Sequence, residues 1–422
     1  MKRLYNRSEI HFCFISFFHQ FSPMETEVKR NIALLWLAQI ISSAGDAIYH
    51  IALMWLILDL TGSSLATGLV AMSATIPAMI FGLYSGVLAD RLNRMGLMIF
   101  ANISQAFTVC LIPVLILTHH QFALLFGVLA FTRATFGTLF PPALNAFIPE
   151  IVHKQYLVRV NSLLSTSQQV AWFAGPAVAG TILHYFSLST LFFFDAASFL
   201  LAIILLLIVK VPRTKPQTVA GNNGWDELLK GIRYAYHHEF IGFLILLTVV
   251  NNFFIMGPAL VGMPLLIRNS LQGSVSDYAF VESFMALGML AGSLLVYLND
   301  NHTKAGILLL LGMVLDGLTY SVFYSVQSIF LAWFLIFIHG IGIPMITISR
   351  TAMIQKYADQ RYHGRLFSMV HLAVVGVTAL SAAAIGAIAE IMEPRVIFLI
   401  IGILAASCGV AGWFHPHMRK QF

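Results

Sequence analysis

Residues 85–96 read SGVLADRLNRMG, which packs Asp90, Arg91 and Arg94 into five positions. No Asp, Glu, Lys or Arg occurs in the 30 residues from Leu60 to Ala89 before them, or in the 38 from Met95 to Thr132 after them. About 20 apolar residues cross a bilayer core as a helix, so each uncharged run is longer than a buried soluble helix needs. The charged knot is therefore a loop between two membrane spans.

The composition agrees. The chain is 59% hydrophobic and 10% charged, where a soluble domain is roughly half apolar and a quarter charged. The same measure places twelve helices at about 31–58, 64–88, 96–117, 122–140, 160–184, 189–209, 241–266, 279–299, 305–324, 328–349, 366–390 and 396–414. A membrane β-barrel would show segments of about ten residues with alternating polarity, and FLLAIILLLIV at 199–209 does not alternate. The expected fold class is an all-α polytopic membrane protein.

Loops on the cytoplasmic side carry excess Lys and Arg. With both termini inside, the inner segments hold 21 of the 24 basic residues; the exceptions are Arg268 and Arg395 in outer loops and Arg133 within a span. The net charge of +6 is thus a topology signal that requires no nucleic-acid partner. The expected location is the inner (plasma) membrane, with cytoplasmic termini.

Cys13, Cys110 and Cys408 form no spaced pair, so neither a disulfide framework nor a metal site is expected, and no cofactor is implied. The first 23 residues carry no small-residue cleavage pattern, and METEVKRN from Met24 is an ordinary charged lead into the first span, so Met24 is the expected biological start.

A shift of 206 residues maps the chain onto itself. Gly86, Leu88 and Leu92 fall on Gly292, Leu294 and Leu298; Tyr156, Arg159 and Ser162 fall on Tyr362, Arg365 and Ser368; Gly180 falls on Gly386. Two pseudo-symmetric six-helix bundles follow, at 30–209 and 241–414, with an N-terminal segment at 1–29 and a tail at 415–422. The linker at 210–240 contains a helix with Trp225, Leu228, Leu229, Ile232 and Tyr236 on one face and Asp226, Lys230 and Arg233 opposite. That face suits an interfacial helix or a solvated linker.

Two parallel six-helix repeats suit a secondary transporter with its site near the bilayer midplane. At this point the chain resembles the major facilitator superfamily. GVLADRLNR at 86–94 is similar to the signature between its second and third helices, with Asn93 in place of Gly. Arg133 with Gly137 resembles the helix 4 signature. Gly175, Pro176 and Gly180 in AGPAVAG resemble a helix 5 exporter signature, with Ala171 and Ala179 in place of glycines. Residues 45–64 and 140–152 look like the branch of macrolide, drug and siderophore (enterobactin-type) exporters.

The resemblance implies that Asp90, Arg91 and Arg94, with Gly86 giving a neighbouring helix room, latch the cytoplasmic ends together in an outward-open state. Solvated loop charges obeying the topology rule are the other reading. Positions 296 and 297 in the second repeat are Val and Tyr, so the charged pair occurs in the first half only.

A charge at the bilayer centre costs about 2.5–3.5 kcal/mol on insertion scales, so each intramembrane ion is a functional candidate. Asp46 leads, with Gln39 and His50 nearby; its repeat partner is Asn252, next to Asn251. An acid in one half alone suits a proton carrier. Arg133 is expected to pair with a buried acid such as Asp46 or to donate to backbone carbonyls, and its repeat partner is His339, a core imidazole or a proton relay. Asp195 and Glu282 are expected to snorkel to the outer interface, and Asp316 to be structural. Trp172 faces lipid or the cavity. Gly175 and Pro176 interrupt the helix 5 ladder, as a hinge or as a packing site.

No HExxH, GxSxG or GxxxxGK[ST] occurs, so neither an enzyme nor an ATP-driven pump is expected. The expected function is proton-coupled efflux of an amphipathic small molecule through a lipid bilayer by alternating access. An importer, a lipid or lysolipid carrier of the same fold, and a non-transporting sensor remain open. A monomer is what the resemblance implies.

Overall fold

The computed structural model describes residues 26–118, 122–210, 224–298 and 305–415. The expected start at Met24, Cys13, and most of the N-terminal segment, linker and tail lie outside these residues, as do the side chains of Trp225, Asp226 and Leu228. The first half comprises α1 (Thr26–Thr61), α2 (Ser64–Arg91), α3 (Arg94–Leu117), α4 (Ala123–Gly137), α5 (Phe140–Ile151), α6 (Leu157–Tyr185) and α7 (Leu188–Ile208). A linker helix, α8 (Gly224–His237), follows. The second half comprises α9 (Glu239–Gly257), α10 (Val275–Leu298), α11 (Ala305–Val322), α12 (Ile329–Tyr357), α13 (His363–Ile388) and α14 (Pro394–Trp413).

Two spans are composite. Pro141 and Pro142 lack the N–H a continuing helix needs, so α4 and α5 meet at a break at Thr138 and Leu139. Beyond α9 the chain continues through wider π turns at Pro258–Gly262 and Leu266–Ser270. Eleven described segments are long and apolar enough to cross a membrane. The remaining crossing is α6, 29 residues long, whose Asn161, Ser165 and Gln168 face a cavity rather than lipid. The protein is thus an all-helical membrane protein of twelve crossings in two six-helix bundles.

Chain direction puts the start of α1 and the end of α14 on one side, here the near face; the α1–α2, α6–α7 and α13–α14 turns mark the far face. Within the first half α1 packs on α6 and α7, α3 on α7, and α2 on α4; within the second, α10 packs on α12, α11 on α12 and α14, and α9 on α13. The halves meet along α2 with α13 and along α6 with α10. The 206-residue shift converts α2 into α10 and α6 into α13, so these are one contact used twice, as a repeat axis along the membrane normal requires.

Small residues make both seams close, as expected where lipid supplies no hydrophobic drive between helices. A Cβ on Gly386 would sit 2.7 Å from the Ser64 carbonyl oxygen and 2.9 Å from the Gly68 Cα, and one on Gly180 would touch the Ala279 Cβ at 3.4 Å. At the far face Glu390 Oε1, from the second half, accepts from the Leu65 N–H at 2.8 Å and from the hydroxyls of Ser63 at 2.7 Å and Ser64 at 3.1 Å. A carboxylate at the first turn of α2 also meets the positive end of the helix dipole. Arg268 adds a second tie, to Asp59 at 3.0 Å and to the Leu58 carbonyl. The α1–α2 turn that presents these groups depends on Gly62, whose φ of +62° is left-handed and favours glycine.

Toward its near end α2 keeps one face packed, with Ser85 bonded to Thr138 at 2.7 Å and Ala89 buried, while the other face is open: Ile80 and Tyr84 are exposed, and a Cβ on Gly82 or Gly86 would meet nothing within 4 Å. The protein is sealed at the far face and open along α2 at the near face. The linker helix α8 docks on the start of α13, where Tyr234 stacks on Tyr362 with centroids 4.2 Å apart and its hydroxyl accepts from the Asp359 N–H at 2.9 Å. Its Leu229, Ile232 and Tyr236 remain exposed.

Gly386→Leu should widen the distance between spin labels at Ser187 and Ile391, because backbone on α2 blocks the new side chain. Hydrogen bonds from the Leu65 N–H and the Ser63 hydroxyl hold the Glu390 carboxyl below its ordinary value of 4.5. A depressed carboxyl stabilises the state that depresses it above the ordinary value, and loses that effect as pH falls through the lowered value. The same label distance should therefore widen as pH drops below 4.5, and Glu390→Ala should remove that acid limb.

Candidate functional site

The site grows from three helices of the first half. Asp46 lies midway along α1, Arg133 in the second half of α4 and Asp195 near the middle of α7. One guanidinium nitrogen, Arg133 Nη2, donates to Asp46 Oδ1 at 2.6 Å and to Asp195 Oδ2 at 3.0 Å. The guanidinium carbon lies 3.8 Å from the Tyr49 ring centroid, in cation–π geometry. Gly45 lets α7 come this close, since a Cβ there would overlap the Ser198 hydroxyl and stand 2.6 Å from Asp195 Oδ1.

The two acids are not equivalent. The Asp195 side chain is 0% exposed and that of Asp46 32% exposed. Asp46 opens into a cavity of about 570 Å³ lined by residues of α1, α2, α3, α4, α5 and α6, with Leu260 entering from the second half. Its polar lining includes Gln39, Ser43, Asn102, Gln105, Asn145 and Gln168; apolar groups such as Met54, Leu144 and Leu164 cover the rest. A polar wall interleaved with apolar groups suits an amphipathic guest.

Of the residues singled out in the sequence, Gln39, Asp46, His50, Arg133 and Trp172 come together here. Trp172 faces the cavity, its ring 6.3 Å from that of His50. Asn251, Asn252 and His339 do not line this cavity. Asn252 instead donates to Thr378 Oγ1 at 3.1 Å, tying α9 to α13; Asn251 is buried in α9, and His339 is buried against α11. The polar repeat partners of the first-half ions thus face partners within the second half, away from this cavity.

The snorkelling expected of Asp195 is overturned, because Arg133 holds its carboxylate inward. Composition could not reveal this: α7 is almost wholly apolar around Asp195, and depth along a helix does not say which face a side chain takes. The signal that was available is Gly45 next to Asp46, a gap in α1 at the level of its acid.

On the near face, Arg94 pairs with Glu150 at the end of α5 and donates to the Ala146 carbonyl at 3.0 Å, a contact inside the first half. Asp90 and Arg91 are exposed, with no ion-pair partner among the described residues. Gly86 packs against no neighbouring helix, because it lies on the open face of α2. Gly175 does receive a neighbour: a Cβ there would meet the Ala47 Cβ at 2.5 Å, so α6 lies tight on α1 beside Asp46. The helix continues through Pro176 to Tyr185, and Gly180 sits on the seam with α10.

Two repeated helix bundles around a polar cavity that opens to one face define a membrane transporter rather than an enzyme. The chain belongs to the transmembrane secretion effector family of the major facilitator superfamily, which it matches over residues 18–417. It is 24% identical over 344 residues to macrolide efflux protein A of Streptococcus pyogenes, covering 81% of this chain and 85% of that protein. To the multidrug efflux pump Tap of Mycolicibacterium fortuitum it is 23% identical over 407 residues, covering 94% and 98%. Among solved structures, a bacterial homologue of the lysosomal transporter Spinster, inward-facing and unoccupied, superposes with a TM-score of 0.73 at 13% identity, covering 94% of this chain and 98% of that one. A bacterial ferroportin homologue in its inward-facing state gives 0.70 at 14% identity, covering 92% and 99%. These likenesses carry the fold.

Removing one partner of a buried ion pair costs about 3–5 kcal/mol. The part-exposure of Asp46 puts the Arg133→Leu loss toward the lower end, read as a drop in thermal unfolding midpoint in detergent. Adding Asp46→Asn and Asp195→Asn to that variant should restore much of the loss, because no unpaired carboxylate then remains.

Proposed function

We propose that this transporter exports amphipathic small molecules in exchange for protons, with Asp46 as the proton carrier. The observation that carries the reading is the shared guanidinium: Arg133 bonds Asp46 in the cavity wall and Asp195 behind it. With both acids ionised the triad bears one net negative charge. A proton on Asp46 releases its bond to Arg133, while Asp195 still neutralises the guanidinium, so the loaded triad is neutral. Neutrality removes the electrostatic cost of moving the site through a dry, sealed intermediate. Guest and proton would compete for the Asp46 side of the cavity, which is the requirement for exchange.

The Lys and Arg distribution supports a cytoplasmic near face in a bacterial inner membrane, so the present form would be inward-open. In that frame the exposed Asp90 and Arg91 and the free Gly86 are parts of a cytoplasmic latch that engages when the near face closes, with Arg94 held in register by Glu150. Gly175 and Pro176 would act as the point about which α6 bends against α1. The efflux relatives and the mixed polarity of the cavity support a drug or macrolide guest; a siderophore is compatible with the same lining. Nothing in the site calls for a second subunit, and a monomer is proposed.

The test is uptake of ethidium and of a radiolabelled macrolide by inverted membrane vesicles with an acidified interior. Native protein should accumulate either probe until a protonophore collapses the gradient, and Asp46→Asn should abolish the gradient-driven part while keeping probe binding. Undiminished gradient-driven uptake by Asp46→Asn would refute the assignment.

A further inference from the structure

The second half holds a buried ionisable cluster that the Arg133 triad does not touch. Asp316 on α11 is 2% exposed and His339 on α12 is 1% exposed. Asp316 Oδ1 lies 3.8 Å from His339 Nδ1, and the Thr319 hydroxyl is 3.0 Å from the same nitrogen. Asp316 Oδ1 receives no hydrogen bond. Tyr320 stacks on the imidazole, with centroids 4.3 Å apart and planes within 7°, and its hydroxyl is also unpartnered. The carboxyl group has room only because position 342 is glycine, where a Cβ would overlap Asp316 Oδ1.

No Lys or Arg pairs with Asp316 among the described residues. From α10 the ionisable neighbours of the cluster are Glu282 and Tyr278, with Tyr320 within electrostatic reach of both Asp316 and Glu282. From α14 the contacts are Phe398 on Tyr320 and the backbone of Gly402 and Ala406 beside Gly317. The nearest titratable group on that helix is Cys408, whose thiol donates to the Leu404 carbonyl at 3.4 Å. A bare carboxylate in this setting carries the cost of an unpaired ion inside a membrane. One proton removes it, either on the acid or on the imidazole to make a close ion pair, so the pair holds one exchangeable proton in common.

The cluster leads to the seam between the halves. Tyr320 is within electrostatic reach of Glu282 and Tyr278 on α10, and Tyr278, 0% exposed, lies against Trp55 of the first half, with ring centroids 6.3 Å apart and planes within 20°. An opening of the far face that parted Trp55 from Tyr278 would admit water beside these groups. Closing it again traps whatever charge the pair then carries.

We propose that Asp316 and His339 form a second proton-binding site, loaded through the far face, whose occupancy permits that face to close. The proton comes from far-face water, resides on the Asp316–His339 pair while the seam is shut, and returns by the same route. This inference rests on the two-face cycle of the proposed function but not on the role of Asp46.

The test uses full-length protein in nanodiscs, with native cysteines replaced and spin labels at Ser187→Cys and Ile391→Cys across the far face, titrated above the acid range of Glu390. Raising the pH should populate the long distance in the native background. Asp316→Asn, neutral at every pH, should keep the distance short through the native transition, so that any opening left lies about one pH unit or more higher, a tenfold change in proton affinity. His339→Gln should also shift the midpoint, and Gly342→Ala, which displaces the carboxyl group without removing it, supplies a variant with the acid intact. The protonated-carboxyl band in pH-difference infrared spectra should lose one component in Asp316→Asn and a different one in Asp46→Asn.

A native-like titration and unchanged infrared spectrum in Asp316→Asn would overturn the inference. Loss of the far-face titration in Asp46→Asn but not in Asp316→Asn would likewise overturn it, leaving the exchange reading intact. If Asp316→Asn abolishes the titration while Asp46→Asn transports normally, the second site stands and the assignment of Asp46 falls.

Discussion

A guanidinium buried between membrane-spanning helices must have its charge answered nearby, and this protein answers it twice. Arg133 reaches Asp46 on α1 and Asp195 on α7 through one nitrogen, so three helices far apart in sequence are held at one level. Much of the first half follows from that requirement. Gly45 must be small for α7 to bring its acid in, Gly175 must be small for α6 to lie on α1 beside it, and Tyr49 must cover the guanidinium face. Only one of the two acids, Asp46, meets the cavity.

The second half solves the same packing problem without a permanent cation. His339 stands at the position that Arg133 occupies in the repeat, and its acid comes from α11 rather than from helices equivalent to α1 or α7. An imidazole can lose its charge where a guanidinium cannot, so a single acid suffices. The repeat has therefore diverged into one half built on a guanidinium between two acids and one built on an imidazole beside a single acid. That difference gives the two halves different reasons to part and to close.

Between the halves, the seams are built for reversible contact. Glycines and alanines bring α2 to α13 and α6 to α10, while the polar ties sit at the far rim, where water can replace them. Individual ties at an exposed rim are weak, so a few of them bias the closed face without locking it. The bulkier ion pair, Arg94 with Glu150, lies inside one half and would move with it as a rigid unit.

Hydropathy alone determined that the chain crosses a membrane as helices, because hydrocarbon leaves a backbone no other partner than itself; the 206-residue repeat determined two halves, and rarity of charge singled out Asp46 and Arg133. The most polar crossing, α6, was still legible from its length, even though its cavity-facing Asn, Ser and Gln dilute the apolar signal. That Arg133 pairs with Asp46 was expected from the sequence; that Asp195 shares the same guanidinium, and which polar residues face a cavity, only the tertiary structure decided. Asp195, Asp316 and Asn252 have no distinguishing neighbours in sequence: their partners are 62, 23 and 126 positions away, and their roles depend on how far each helix is rotated about its own axis. Rotation is set by the packing of small residues between helices, a sum over many weak contacts that no single stretch of sequence contains.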